Sequence, residues 1–184
     1  MNNSNKNHLT LVKPIIISFI GMMGSGKTKI GKKISQKLNY KFYDIDTIIE
    51  KKNKMKISTI FENFGESFFR DEEMKTISRK IKKIHLQKEN TIISLGGGGF
   101  ENISTRKLLL DTTFVVWLDC PLNVLMQRVG NAKNRPMLKD KILDNLSTLL
   151  KKRKNNYNEA HIKFDTSKCS SEHIIKKIKE QFNA

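Results

Sequence analysis

A glycine-rich segment near the amino terminus has the residue types and spacing that can hold phosphate groups. Residues 21–28 read GMMGSGKT and fit the pattern G-x-x-x-x-G-K-[ST]. Glycines let a backbone curl tightly and direct several N–H groups at one point, and a helix that follows adds the positive end of its dipole. In such a cradle Lys27 would reach the β- and γ-phosphates of a nucleotide, and the Thr28 hydroxyl would bind Mg²⁺.

The surroundings of this segment favour a phosphate-binding loop over the alternative, a plain glycine-rich turn. An apolar run at residues 15–20 precedes it, and helical spacing over residues 27–38 follows it. That is the strand, loop and helix order in which such loops occur. The pattern indicates a nucleotide but leaves the acceptor open, because kinases, ATPases and GTPases all use it.

Two aspartates lie two residues apart where the next apolar run ends. Asp44 and Asp46 belong to the sequence YDIDT at residues 43–47. Residues i and i+2 of a strand point to the same side, so both carboxylates would face a ligand. Asp44 would help to hold Mg²⁺ through water, and Asp46 would accept the proton of an attacking hydroxyl. Alternatively, Asp46 caps a helix that starts near Thr47.

An arginine opens the long helical segment that follows. Arg70 ends the sequence GESFFR at residues 65–70. Its planar guanidinium fork can grip a carboxylate at two points. The alternative is an exposed salt bridge between Arg70 and either Glu66 or Glu73.

Further candidates lie in the second half of the chain. Glycines at residues 96–99 follow a predicted strand, where they either let a ligand lie against bare backbone or form a flexible loop. Arg135 lies in a polar stretch, residues 131–141, that we interpret as a lid; an arginine there would stabilise charge on a transferred phosphoryl group. Arg153 and Tyr157 are one helical turn apart and share a face.

The elements that must position these residues alternate between strand and helix. Apolar runs typical of parallel strands buried on both faces occur at residues 15–20, 41–45, 91–95, 113–118 and 161–165. Helical spacing occurs at residues 27–38, 57–64, 66–86, 103–110, 122–129, 141–157 and 171–182. This order predicts an α/β sandwich with a mostly parallel sheet that binds ligands beyond the carboxyl ends of its strands.

The composition is that of one globular domain with a large positive charge. The chain has 184 residues, of which 38% are hydrophobic and 29% charged, and its formal net charge is +17. Such a charge first suggests a nucleic-acid partner. Lysines, however, occur in almost every segment, which favours solvated helix faces, so we expect no nucleic-acid partner. The positive field would still attract anionic substrates.

Neither a membrane segment nor a cysteine framework is indicated. Residues 14–23 are mostly apolar but run directly into the glycine-rich loop, so we interpret them as a buried strand and not a signal peptide. No apolar run reaches the roughly 18 residues of a membrane span, and we expect no membrane association. Cys120 and Cys169 lack CxxC spacing, so we predict neither a zinc site nor disulfides, which fits a reducing cytoplasm.

Six motifs, taken in order, resemble the shikimate kinase family over residues 15–182. They are GxxGxGKT, DxD, GExxFR, GGG, RPxL and RxxxY, beginning at residues 21, 44, 65, 96, 135 and 153. The resemblance implies a P-loop, nucleoside-monophosphate-kinase-like fold: a three-layer sandwich around a five-stranded parallel sheet, with a lid. We therefore expect a disordered tail at residues 1–13 and a single kinase domain at 14–184. Within it, substrate would bind at about 46–75 and the lid would span about 130–141.

The resemblance also implies an activity. A shikimate kinase is a phosphotransferase that moves the γ-phosphoryl group of ATP to the 3-hydroxyl of shikimate, giving shikimate 3-phosphate and ADP in chorismate and aromatic amino acid biosynthesis. ATP would be the co-substrate and Mg²⁺ the cofactor. A cytoplasmic monomer is the form that the family implies.

Residue roles carry over motif by motif. The resemblance assigns ATP binding to Gly24, Ser25, Gly26, Lys27, Thr28, Lys29, Arg128 and Arg135. It assigns shikimate binding to Asp46, Arg70, Gly97, Gly98 and Arg153, and Mg²⁺ to Thr28 directly and to Asp44 and Ser94 through water. Lys27, Asp46 and Arg135 would be catalytic, with Asp46 as the base, and Glu73 would orient Arg70. One departure concerns Arg153: the family pattern R-x-P-x-Y has a proline where this chain has Asn155.

Overall fold

A five-stranded parallel sheet forms the centre of the protein in the computed structural model, which describes residues 13–129 and 142–182. The strands are β1 (Ile16–Ile20), β2 (Lys41–Asp44), β3 (Thr91–Ser94), β4 (Phe114–Asp119) and β5 (Ile162–Asp165). The helices are α1 (Lys27–Leu38), α2 (Ile45–Asn53), α3 (Ile57–Gln87), α4 (Ile103–Thr112), α5 (Leu122–Val129), α6 (Ile142–Tyr157) and α7 (Ser171–Glu180). Every strand begins and ends within one residue of a predicted run, so the predicted five-stranded α/β fold is confirmed.

The strand order decides which loops become neighbours. The order across the sheet is β2-β3-β1-β4-β5, and all neighbouring strands are parallel. Strand β3 therefore lies between β1 and β2 and pairs with both, Phe19 with Ser94 on one side and Asp44 with Ser94 on the other. The glycine run that follows β3 is thus flanked by the phosphate-binding loop after β1 and by the aspartates after β2.

Both faces of the sheet are buried, which explains why the strands are continuous apolar runs. In β1, Ile16 and Ile20 belong to one hydrophobic cluster, whereas Ile17 and Phe19 belong to the other. The first cluster continues into helices α2 to α6 and the second into α1 and α7. Successive side chains of a strand point to opposite faces, so a strand covered on both sides has no polar face to show.

Helix α2 begins immediately after β2, and this changes the position that was predicted for Asp46. Asp44 is the last residue of β2 and the N-cap of α2, where its Oδ1 accepts a hydrogen bond from the Thr47 N–H at 3.2 Å. Asp46 lies in the first turn of the helix. The prediction that Asp44 and Asp46 are aligned by strand geometry is therefore wrong, and the capping role considered for Asp46 belongs to Asp44.

Helix α3 is bent at a glycine. It runs from Ile57 to Gln87, but Gly65 has non-helical backbone angles of φ 79° and ψ 174°. The two arms on either side of Gly65 are the two helical segments, 57–64 and 66–86, that the sequence predicts. Only glycine adopts this region of backbone conformation readily, because it has no Cβ. The second arm begins with Glu66 and carries Arg70 and Glu73 into the site.

Three sequence predictions lie outside the described residues. They are the tail at residues 1–13, of which the structure describes Lys13 alone, the lid at about 130–141, and Arg135 within the lid. Within the part of the chain that the structure covers, no helix is both long enough and apolar enough to span a bilayer.

Replacing Gly65 with alanine should destabilise the protein through backbone strain alone. A Cβ at Gly65 would have no atom within 4 Å, so steric crowding contributes nothing, while the φ of 79° still opposes a side chain. We expect Gly65→Ala to lower the free energy of unfolding by about 1–3 kcal/mol in urea denaturation. Ser67→Ala, at an exposed position two residues later, is the control and should stay within about 0.5 kcal/mol of wild type. Equal effects of the two changes would contradict the strain argument.

Candidate active site

The carboxyl ends of the strands surround one large cavity. Its volume is about 710 Å³. Predicted site residues that line it are Gly24, Ser25, Gly26, Lys27, Thr28, Lys29, Asp44, Asp46, Ser94, Gly97 and Arg128. Parallel α/β sheets bind ligands at this edge because loops and helix N-termini meet there. The site therefore lies where the alternation of strands and helices predicts it.

The phosphate-binding loop connects β1 to α1 and is held by its own backbone. Gly26 is the N-cap of α1 with φ 96°, a left-handed conformation that requires glycine. The Ser25 N–H donates to the Met22 carbonyl at 3.1 Å, which closes the turn. The Lys27 ammonium donates to the carbonyl oxygens of Gly21 at 2.8 Å and Met22 at 2.9 Å. These contacts hold the cation over the loop, where the phosphates of a nucleotide would bind.

A set of oxygen ligands next to the loop suits a hard divalent cation. The Thr28 hydroxyl donates to Asp44 Oδ2 at 2.7 Å, and Asp44 lies opposite Ser94 in the parallel register of β2 and β3. All three side chains line the cavity. Hydroxyl and carboxylate oxygens are the ligands that Mg²⁺ takes, and Mg²⁺ usually keeps several waters and phosphate oxygens as well. The residues present therefore fit the cation implied by the family.

Two carboxylates approach Gly96 on the side where a side chain would otherwise lie. A Cβ built on Gly96 would lie 2.6 Å from Asp46 Oδ1 and 2.8 Å from Glu73 Oε1. Both of these oxygens are buried and have no hydrogen-bond partner among the described residues. Burial first, and then the charges of Glu73 and Asp44, raise the pKa of Asp46 to about 7, against the opposing effects of Lys27 and Arg70. Asp46 can therefore exchange a proton near neutral pH.

Arg70 forms the ion pairs that were considered as its alternative role, and it also reaches the glycine run. It donates from Nη1 to Glu73 Oε2 at 2.7 Å and from Nη2 to Glu66 Oε1 at 3.1 Å. Glu73 is 2% exposed, so this pair is largely removed from water. Burial raises the pKa of Glu73, and the neighbouring Arg70 opposes that rise. A Cβ on Gly98 would lie 2.5 Å from Arg70 Nη2, so the guanidinium lies directly against the glycine backbone.

Arg153 approaches the same run from the other side. It is 3% exposed, and its Nη1 would lie 3.1 Å from a Cβ on Gly97. Tyr157, one turn further along α6, is fully buried and donates its hydroxyl hydrogen to the Gly97 carbonyl at 2.5 Å. The glycines at 96–99 therefore serve close packing against Asp46, Arg70 and Arg153. This role for the run replaces the flexible loop considered from sequence.

Arg128, at the end of α5, is held at the nucleotide end of the cavity. Its Nη1 donates to the Gly24 carbonyl at 3.4 Å and to Thr166 Oγ1 at 3.3 Å, and its Nη2 donates to the Thr166 carbonyl at 3.2 Å. The guanidinium thus connects the phosphate-binding loop with the segment after β5. That position is compatible with contact to a nucleotide base.

Sequence reasoning missed several residues of the site. Thr166, Cys169 and Ser171 line the cavity after β5; Tyr157 was named in the RxxxY motif, but its contact with Gly97 was not predicted. The position of Thr166 directly after a predicted strand was a signal that could have pointed to it, because the ends of the first three strands had each supplied candidates. The hydrogen bond of Tyr157 had no such signal, since it joins residues 60 positions apart.

The fold and the site together define a class of protein. A parallel sheet whose first strand runs into a phosphate-binding loop, with acidic and basic side chains grouped beside that loop, is typical of a P-loop kinase of small molecules. The family model described as Shikimate kinase matches residues 23–183. The chain belongs to the shikimate kinase family, as the six motifs predict.

Individual relatives agree with the family model. A shikimate kinase from Sulfurihydrogenibium sp. (strain YO3AOP1) is 40% identical over 162 residues, which are 88% of this chain and 94% of that protein. The structure of shikimate kinase from Acinetobacter baumannii in complex with shikimate has a TM-score of 0.84 at 30% identity, covering 92% of this chain and 93% of that chain. Shikimate kinase from Bacteroides thetaiotaomicron gives 0.82 at 28% identity, covering 92% and 99%.

The buried carboxyl of Asp46 should cost stability when it is ionised. The pKa of Asp46 is about 7 in the folded protein, above the ordinary value of 3.8, so the folded state holds the proton more tightly than the unfolded state does. The protonated carboxyl therefore stabilises the folded state fully below about pH 4, and this stabilisation is lost as the pH rises through 7. We expect Asp46→Asn to raise the melting temperature near pH 8 by roughly 2–4 °C for each kcal/mol relieved, and to change it little near pH 4. Asp111→Asn, on an exposed face of α4, controls for net charge. A lower melting temperature of Asp46→Asn at the higher pH would refute the argument.

Proposed function

We propose that this chain phosphorylates shikimate: it transfers the γ-phosphoryl group of ATP to the 3-hydroxyl and releases shikimate 3-phosphate and ADP. The observation that carries the proposal is the convergence of Asp46, Arg70 and Arg153 on the glycine run 96–99, beside the phosphate-binding loop. One carboxylate and two guanidinium groups around bare backbone suit a small molecule with a carboxylate and several hydroxyls. The structure of a 30% identical shikimate kinase in complex with shikimate supports the same substrate.

Recognition of the substrate carboxylate falls to the two arginines. Arg70 and Arg153 reach neighbouring glycines of one run, Gly98 and Gly97, so both guanidinium groups can donate to one anion. Glu73 pairs with Arg70 from the buried side, which fixes the direction of the fork. Because the glycines have no side chains, the ring of the substrate can lie against their peptide groups.

Asp46 is the proton acceptor in this proposal. Its buried Oδ1 lacks a partner among the described residues and would accept the proton of the 3-hydroxyl. The hydroxyl oxygen then forms a bond to the γ-phosphorus while the bond to the bridging oxygen of ADP breaks. Lys27 neutralises negative charge on the phosphates, and positioning supplies most of the rate increase.

The remaining roles come from the sequence and the family. Thr28 would hold Mg²⁺ directly, and Asp44 and Ser94 through water; the bound cation would supply positive charge that offsets the charge of the phosphates. Lys29 and Arg128 would contact ATP, and Arg135, outside the described residues, would act from the lid. We also propose that the protein is a monomer, that it acts in the cytoplasm, and that its reaction belongs to aromatic amino acid biosynthesis.

An acceptor panel tests the proposed function. ADP release by purified protein with Mg·ATP is measured with shikimate, gluconate and nucleoside monophosphates as acceptors. We expect ADP release with shikimate only. For the variant Lys27→Ala we expect kcat to fall by at least about a hundredfold, because a charge that stabilises the transition state is removed. Turnover of gluconate or a nucleotide in preference to shikimate would replace the proposed substrate.

Arg70 should determine the affinity for shikimate. Arg70→Lys substitutes a point charge for a two-pronged donor, and we expect the KM for shikimate to rise about ten- to a hundredfold with little change in the KM for ATP. Gly98→Ala should act in the same direction, because its Cβ would lie within 2.7 Å of three Arg70 guanidinium atoms and push the side chain aside. Arg79→Lys, an exposed arginine on the same helix, is the matched control. An unaltered KM for shikimate in Arg70→Lys would rule out the assignment.

A further inference from the structure

Polar contacts join the carboxyl end of α6 to the loop and helix that follow β3. Asn156 Nδ2 donates to Glu101 Oε1 at 3.1 Å. Arg106, on α4, donates from Nη1 to the carbonyls of Phe100 and Glu101, both at 3.1 Å, and its Nε pairs with Glu159 Oε1 at 3.0 Å. We call the side chains of Glu101, Arg106, Asn156 and Glu159 the brace.

The brace lies next to both halves of the substrate-carboxylate site. Asn156 is on α6 between Arg153 and Tyr157, and Glu101 follows the glycine run by two residues. Arg153 and Gly97 are on different segments, yet Arg153 Nη1 would lie only 3.1 Å from a Cβ built on Gly97. Contacts that fix α6 against this loop therefore fix the distance between the arginine and the glycine backbone.

The brace is poorly suited to a purely stabilising role. In the ion pair between Arg106 and Glu159 the two side chains are 13% and 47% exposed, and a pair that is open to solvent on one side contributes only modestly to the free energy of unfolding. Asn156 and Glu101 form a single side-chain hydrogen bond at the surface of the site. A small displacement of a binding group can nevertheless cost a large factor in substrate affinity or rate. Loss of the brace should thus affect substrate binding more than stability.

We propose that Glu101, Arg106, Asn156 and Glu159 are positioning residues that hold Arg153 against the glycine run for recognition of the substrate carboxylate. This inference rests on the proposed function, since it assumes that Arg153 contacts that carboxylate. Tyr157 contributes from the buried side through its bond to Gly97. This segment departs from the family pattern R-x-P-x-Y, because Asn155 occupies the position of its proline. The helix continues through that position to Tyr157, and its end is secured by these side chains.

Neighbouring asparagines provide a matched test. We expect Asn156→Ala to raise the KM for shikimate about three- to tenfold, while kcat and the KM for ATP stay within about twofold of wild type. Asn155→Ala removes the same side chain from an exposed position, with no side-chain hydrogen bond among the described residues, and should leave all three constants unchanged. The dissociation constant of shikimate, followed by the fluorescence of the single tryptophan, should rise in parallel. Trp117 reports here because its ring lies 5.6 Å from that of Tyr157.

Changes at Glu101, the hydrogen-bond partner of Asn156, distinguish a positioning role of the brace from a general loss of structure. Glu101→Gln keeps an oxygen that accepts from Asn156 and should retain a KM near wild type, whereas Glu101→Ala should match Asn156→Ala. The double variant Glu101→Ala/Asn156→Ala should be no worse than either single change, because one bond is lost in each case.

Several outcomes would overturn the inference. One is an Asn156→Ala enzyme with the same KM for shikimate as Asn155→Ala. Another is a rise in both substrate KM values together with a melting temperature lowered by more than about 5 °C, which would indicate general damage. Wild-type protein that fails to phosphorylate shikimate would overturn the proposed function and, with it, this inference; wild-type activity with unaffected variants would overturn the inference alone.

Discussion

Burial of opposite charges against one stretch of glycine backbone is the interaction on which the site depends. Asp46 and Glu73 each place beside Gly96 an oxygen that has no hydrogen-bond partner among the described residues, and Arg70 and Arg153 place guanidinium groups beside Gly98 and Gly97. A buried charge is costly unless an opposite charge lies near it, so the two arginines offset part of the cost of burying the two carboxylates. The packing also requires that the run carry no side chains. The proposed binding of a carboxylate with several hydroxyls would use these charges, which are held in place before substrate arrives.

The order of the strands makes this grouping possible. Because β3 lies between β1 and β2, its carboxyl end delivers the glycine run between the phosphate-binding loop and Asp46. The bend at Gly65 sends the second arm of α3 across the run, and α6 closes the site from the other side with Arg153. The proposed sites of the phosphoryl donor and of the acceptor thus lie on adjacent loops of one sheet, which suits in-line transfer.

Local patterns predicted much of this arrangement, and their failures have physical reasons. The strands were predictable because burial on both faces leaves apolar runs, and the phosphate-binding loop because its glycines and lysine are consecutive. The position of Asp46 was not predictable, because a helix that starts directly after a strand gives no break in the sequence pattern. A strand and a helical turn orient the side chain of Asp46 differently. The glycine run looked like a flexible loop because nothing local shows that four charged side chains pack against it.

The amino-acid sequence by itself determined the fold class, the phosphate-binding loop and the family, since each depends on residues that are close together in the chain or on motifs in a set order. Only the tertiary structure decided that Asp44 caps α2, that Glu73 shares a buried pocket with Asp46, and that Tyr157 and the brace hold α6 to the glycine run. Apart from the Asp44 cap, which is local, these contacts join segments far apart in the chain. Their formation depends on strand order and helix packing, which are properties of the whole fold and leave no local pattern to read.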